Sequence, residues 1–514
     1  MSALKELRGL DREARLLEHV AATMSWDQET YMPEGAVDER AAQQSLLQGL
    51  IHERTSSQRV GELLGRWLHD PRAQWPAQGV SRTDGEDLSE VDLAFIREKH
   101  RQYRHAVSLP ERLVREMAET ASRSQNEWVL ARKENDFSRF KPWLEKLIIL
   151  NRETADCLGY TGVRYDALLD QYEPGVSTAE VKDVFASLRK SLVSLVQRIS
   201  AAEQPDGSFL EQPFPVPQQV TFNEEVMTAL GYDLRRGRMD RSAHPFTTTL
   251  GSDDVRITTR YDEKLLTSAL FSTIHEVGHA LYELGVGEEL RGTLLAEGTS
   301  LGIHESQSRM WENMIGRSKP FWQHWLPRLQ QIFPSELKNV DLERFYRAIN
   351  RVAPSLIRVE ADEVTYSLHI IMRFELEQAL ISGDLSTGDL PGAWREKSRD
   401  LLGVVPDTDA QGVLQDVHWS MGAFGYFPTY ALGNLYAAQF LNVMERDLPL
   451  FRESVAQGNT APVLDWLRRN IHRYGRVRSA AELVQQITGG PLDPAPFVAY
   501  LEKKYGELYR LQGG

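Results

Sequence analysis

Two histidines four residues apart, His275 and His279 in FSTIHEVGHALYELG (271–285), are the residues of this 514-residue chain best placed to do chemistry. An α-helix turns roughly 100° per residue, so positions i and i+4 share a face one turn apart, and two imidazoles there can aim at one ion. Glu276 stands beside them, where a carboxylate holds a water rather than the ion. Gly278 leaves room for another element to come close, at some cost in helix propensity. The competing explanation is a helix whose polar residues fall this way by accident. An open catalytic zinc site takes three protein ligands and a water, so a third ligand has to be found.

Downstream, GTLLAEGTSLGIHESQSRMWENM (292–314) offers Glu297, His304 and Glu305. Glu305 leads, because HESQSRMWENM continues as an amphipathic helix that projects it inward. Glu297 lies nearer the helix start, where the backbone dipole also favours a carboxylate. His304 points roughly 100° away from Glu305 and reads as structural. The one cysteine, Cys157, excludes both an internal disulfide and a thiolate cage, so a metal must take His and carboxylate ligands. ADCLGY reads as a helix end carrying a buried, inert thiol.

The elements that must position these groups are mostly helical. Apolar residues recur at three and four spacings, with a long amphipathic helix over 4–26 and a helical block over 89–202. HDPRAQWPAQGVSRTDGEDL (69–88) reads as a loop. EQPDGSFLEQPFPVPQQ (203–219), with four prolines, is the candidate hinge. VRITTRY (255–261) is β-branched and alternating, the clearest strand. Helices resume near 264. The expected organisation is 1–202 as a helical region forming one cleft wall and 203–514 as the catalytic region, within one continuous fold. A formal charge of −14 argues against nucleic acid or an anionic membrane as partner. The start MSALKELRGLDREARLL lacks the apolar core of a signal peptide, and no apolar run approaches the ~20 residues of a membrane span, so a cytoplasmic protein is expected.

HEVGH followed by GIHESQSR resembles the thermostable carboxypeptidase Taq family of zinc metallocarboxypeptidases. DVRITTRY (254–261), LIRVEADEVTY (356–366), GVLQDVHWSMGAFGYFPTYALGN (412–434) and SWDQETYMP (25–33) fit the same pattern, in the same order, over almost the whole chain. The resemblance implies His275, His279 and Glu305 as metal ligands and Glu276 as the base. It also implies zinc with cobalt as a working substitute, a homodimer, and broad side-chain preference.

Peptide hydrolysis at such a site also needs an oxyanion donor and a means of holding the chain end. Tyr426 and Tyr430 in GYFPTY, stiffened by Pro428, are the candidate phenols; the resemblance favours one catalytic tyrosine, Tyr426 ahead of Tyr430, which is then left to substrate binding, and the alternative is aromatic packing with Phe424 and Phe427. His418 in QDVHW is a second possible donor or a packed residue. Arginine suits a C-terminal carboxylate because its planar fork binds two oxygens. Arg358 leads, unless Glu360, Asp362 or Glu363 holds it in an ion pair, with Arg256 and Arg260 as alternatives. VRITTRY could pair its edge with an extended substrate. Asp254 and Asp416 read as acids that take the second N–H of a ligating histidine, and Trp26 and Asp27 as structural.

The sequence therefore predicts a mostly α protein: a large helical body with a deep cleft between two walls, one small β-sheet, and an HExxH zincin site with a glutamate third ligand. Its expected activity is release of single residues from peptides with a free C-terminal carboxylate. An oligopeptidase or dipeptidyl carboxypeptidase on the same core is the nearest alternative, and a non-catalytic helical protein that has kept its metal is the remote one.

Overall fold

Helices make up most of the described residues. The computed structural model describes residues 2–75 and 87–511. The opening helix runs Ala3–Thr30, started by Ser2, whose hydroxyl accepts from the amide of Lys5. Residues 76–86 of the expected 69–88 loop lie outside the described residues. Helix resumes at Glu90–Ser108 under a capping box in which Ser89 and Asp92 exchange hydrogen bonds. Helices Glu111–Glu134, Phe137–Leu158 and Thr178–Ser200 fill the rest of the predicted block. Cys157 sits near the end of the second of these and is half-buried rather than buried; burial still raises its pKa, so thiolate is disfavoured.

Three short strands interrupt the helices: β1 (Met239–Arg241), β2 (Thr247–Gly251) and β3 (Asp254–Thr259). Their order is β1-β3-β2, β3 pairing parallel to β1 and antiparallel to β2. The VRITTRY strand is thus central, with neighbours on both sides. It has no free edge to offer a substrate, which corrects that expectation. Its partner β1 is only three residues long, too short to carry an alternation signal.

Two apolar cores hold the molecule. The larger runs from Trp128 to Tyr509 and includes the HEVGH helix (Leu266–Leu284). The smaller packs Leu7, Leu63, Phe95 and Tyr103 of the N-terminal helices onto Leu290, Leu294 and Leu295. Both cross the 203–219 segment, which divides neither; a helix begins within it at Val216, with Pro217 in its first turn, where the missing N–H costs nothing. The N-terminal helices are further pinned by a buried ion pair, Lys99 Nζ to Asp11 Oδ1 at 3.1 Å, while Asp11 Oδ2 accepts from Leu294 N at 2.9 Å. Among the described residues, no helix is long and apolar enough to cross a membrane.

Candidate metal centre

The HEVGH helix lies against a second helix, Leu301–Arg309, because glycines allow it. A Cβ on Gly278 would stand 2.6 Å from Ser308 Cα and 2.8 Å from Gln307 O. On the far side, a Cβ on Gly433, in the helix Pro428–Asp447, would meet Glu305 Cβ and Cγ at 2.6 Å. The helix bearing Glu305 is therefore clasped between two glycine faces, and its carboxylate is delivered to the histidines.

His275 Nε2 lies 3.6 Å and His279 Nε2 3.4 Å from Glu305 Oε2, and the three donor atoms fall within 4.8 Å of one another. Tetrahedral ligands about 2.1 Å from a zinc-sized ion stand about 3.4 Å apart, so the spacing suits such an ion. The hydrogen-bond pattern gives the same answer. His275 Nδ1 donates to Glu312 Oε2 at 2.9 Å. His304 Nε2 donates to Glu283 Oε1 at 2.7 Å, which makes His304 Nδ1 the acceptor for His279 Nδ1–H at 2.6 Å. In their neutral form both imidazoles thus present Nε2 as a lone pair towards a carboxylate oxygen. Three acceptors converging without a proton between them fit a cation at their centre.

Glu305 is oriented from its other side. Arg309 Nε donates to Oε1 at 2.7 Å, leaving Oε2 towards the histidines. Burial alone would raise the Glu305 pKa, but Arg309 and then the two imidazoles hold it well below the usual carboxylate range. Glu276 is also buried, which raises its pKa; Thr247 of β2 donates to its Oε2 at 2.7 Å and leaves Oε1 free.

The acids that steady the histidines differ from those the sequence suggested. Asp254 is occupied by Arg256 on the same strand, with both carboxylate oxygens bonded at 2.9 and 2.7 Å. Asp416 lies between Arg358 and Arg373. Glu312 and the His304–Glu283 pair take the role instead. His304 does point away from Glu305, as its helical offset required, but it meets the back of His279. Glu312 lies in a π-helical turn, Met310–Gly316, that continues the Glu305 helix; its i+7 spacing from Glu305 was the sequence signal for a shared face. Glu297, the other carboxylate considered, is bound by Arg15 and Arg476, away from the histidines.

A cavity of about 490 Å³ opens beside the cluster, and His275, Glu276, Arg358, Tyr366 and Tyr430 line it. Arg358 is buried. Its Nε donates to Asp416 Oδ1 at 2.9 Å and its Nη1 to the Tyr366 hydroxyl at 3.1 Å; neither Glu360, Asp362 nor Glu363 pairs with it. Burial opposes its charge, but Asp416 outweighs that and raises its pKa. Arg256 does not reach this cavity: it is spent on Asp254 and stacks 4.3 Å over the Trp26 ring. Arg260 is exposed beyond the end of β3. Tyr430 faces the cavity with Tyr426 packed behind it, ring centroids 5.3 Å apart, and Tyr426 also touches Tyr172. His418 sits outside the lining, its Nε2 3.3 Å from the Tyr430 hydroxyl; burial and then the Arg358 charge lower its pKa to about 4, so it is neutral at pH 7. Trp26 is buried and Asp27 pairs with Arg40, in keeping with structural roles.

A family model described as carboxypeptidase Taq (M32) metallopeptidase matches residues 6–505. The chain is 45% identical to thermostable carboxypeptidase 1 of Thermus thermophilus, over 99% of each chain. It is 40% identical to carboxypeptidase 1 of Bacillus subtilis, again over 99% of each. Its fold superposes with a TM-score of 0.94 on the crystal structure of an M32 carboxypeptidase from Deinococcus radiodurans R1, 40% identical, covering 99% of this chain and 100% of that one.

Proposed function

The chain belongs to the carboxypeptidase Taq (M32) metallopeptidase family, and we propose that this metallocarboxypeptidase releases amino acids one at a time from peptide C-termini. The observation that carries the proposal is one cavity that opens onto the histidine–carboxylate cluster at His275 and is lined by a buried base, Glu276, and a buried arginine fork, Arg358. His275, His279 and Glu305 would hold the ion, which supplies Lewis-acid polarisation and a water of lowered pKa. Glu276, fixed at Oε2 by Thr247, takes the proton of the attacking water at Oε1 and passes it to the leaving amine. The Tyr426–Tyr430 pair, with Tyr430 at the cavity surface, donates to the carbonyl oxygen as it becomes negative. His418, neutral and bonded to the Tyr430 hydroxyl, orients that phenol. Arg358 binds the terminal carboxylate with the N–H groups left over from Asp416 and Tyr366.

Family resemblance supports extending the proposal to zinc as the resident ion, cobalt as a working substitute, broad side-chain preference, and a homodimer. Timed product identification on one defined peptide tests the central claim. Single amino acids should appear in C-terminal order, and a chelator should stop their release. Dipeptides or internal fragments as first products would replace it with a dipeptidyl carboxypeptidase or oligopeptidase.

A further inference from the structure

A second cavity, also of about 490 Å³, lies away from the metal centre and shares none of its lining residues. One wall is a face of the helix Glu90–Ser108. Arg97, Arg101 and Arg104 follow one another there at i, i+4 and i+7, flanked by His100 and His105. The opposite wall is the end of the helix Phe137–Leu158 and the segment 170–177.

Two of the three guanidiniums are already neutralised. Arg97 pairs with Glu98 at 2.9 Å and also donates to the carbonyls of Arg476 and Val477. Arg101 pairs with Asp170 at 3.1 Å. The remaining acid in the lining, Asp166, is turned to backbone, accepting from Val163 N at 2.9 Å and Thr178 N at 2.7 Å. Arg104 is different. It is half-buried, its one hydrogen bond is to the Leu158 carbonyl at 3.2 Å, and it has no carboxylate partner among the described residues. In a chain of formal charge −14, a half-buried guanidinium with an unspent fork beside open space is a vacancy for an anion. The local field has that sign. Burial first, and then the charges of Arg101 and Arg104, which together outweigh Asp170, push the His105 pKa down to about 4.

We propose that this cavity binds a small phosphate-type oxyanion, gripped by the Arg104 fork with Arg101 and His105 beside it. The proposal is independent of the peptide chemistry assigned above. It is tested on the full-length, metal-loaded enzyme by titrating inorganic phosphate at constant ionic strength, following heat of binding and amide hydrogen exchange. Binding should saturate, and exchange should slow in 97–105 and 158–177 while 266–312 stays unchanged. Arg104→Gln should weaken binding roughly tenfold or more, the value of one charge-assisted contact, with metal content and kcat/KM unaltered. Should that variant fail to fold, Arg104→Lys keeps the charge and the stem but not the fork, and should weaken binding roughly threefold to tenfold. Protection confined to 266–312 would put phosphate on the metal and overturn the proposal. Superimposable titrations of wild type and variant would do the same.

Discussion

Arg358→Ala gives the sharpest test of how a chain end is held. In the folded protein its Nε is committed to Asp416 and one hydrogen of Nη1 to Tyr366, so the second hydrogen of Nη1 and the pair on Nη2 remain for a ligand. Two charge-assisted hydrogen bonds to a carboxylate, at roughly 2 kcal/mol each, amount to about 4 kcal/mol, close to a thousandfold in kcat/KM. The cost to folding should be smaller, because Asp416 keeps Arg373, whose Nε donates to Oδ2 at 2.7 Å. The assay compares two peptides of one sequence, one ending in a free carboxylate and one in an amide. Wild type should strongly prefer the acid. The variant should lose about a thousandfold on the acid and no more than about threefold on the amide, so that the preference collapses. Arg358→Lys should recover only part of the loss, since an ammonium lacks the planar fork. Equal losses on both peptides would make Arg358 a structural partner of Asp416 and nothing more.

Two further perturbations separate other parts of the structure. His304→Ala removes the acceptor for His279 Nδ1–H and should weaken metal binding by roughly 10–100-fold in chelator competition; unchanged affinity would dismiss the His279–His304–Glu283 chain. Glu173 is fully buried, accepting from Ser300 Oγ, Gly302 N and Tyr436, and burial pushes its pKa up from 4.5 to about 7. A carboxyl whose folded pKa is raised contributes stability that is whole below the unfolded value and is lost as pH rises through the folded one. Between about pH 4.5 and 7 wild type should therefore lose up to about 3 kcal/mol relative to Glu173→Gln in denaturant titrations, and parallel pH profiles would refute this.

What was legible in the sequence was what a single element's geometry dictates. The i, i+4 histidines, the adjacent base and an inward carboxylate on the following helix all obey helical periodicity, and the structure brings them together. Local pattern stops predicting where packing between elements decides. Asp254 and Arg256 lie two apart on one strand, so period 2 puts them on the same face, where they satisfy each other. That signal was present and argued against both assigned roles. Asp416 lies two residues before His418, yet its partners come from residues 358 and 373, which no local pattern could supply. The proline-rich 203–219 segment reads as punctuation, but both cores pass across it, because apolar residues on either side pack together, helix on helix in the larger core and N-terminal helices on the 286–295 segment in the smaller.

A metal ion at this cluster would also account for so much charge being buried around one carboxylate. Arg309, Glu312, His304 and Glu283 lie around the His275–His279–Glu305 cluster, and each would be costly to bury alone. Arg309 joins Glu305 to Glu312, at 2.7 and 3.3 Å, and stacks 4.3 Å over the Tyr366 ring. Glu312 and His304 then fix the two ligand imidazoles from behind. Most of these charges are satisfied by one another, Glu283 Oε2 being the buried oxygen without a partner, and three acceptor atoms face one point. Such a network holds the donors near their final separation before an ion arrives, so little ordering cost falls on metal binding. Gly278 and Gly433 are the steric condition for it: a methyl group at either would press on the Glu305 helix, and the network has no slack to follow.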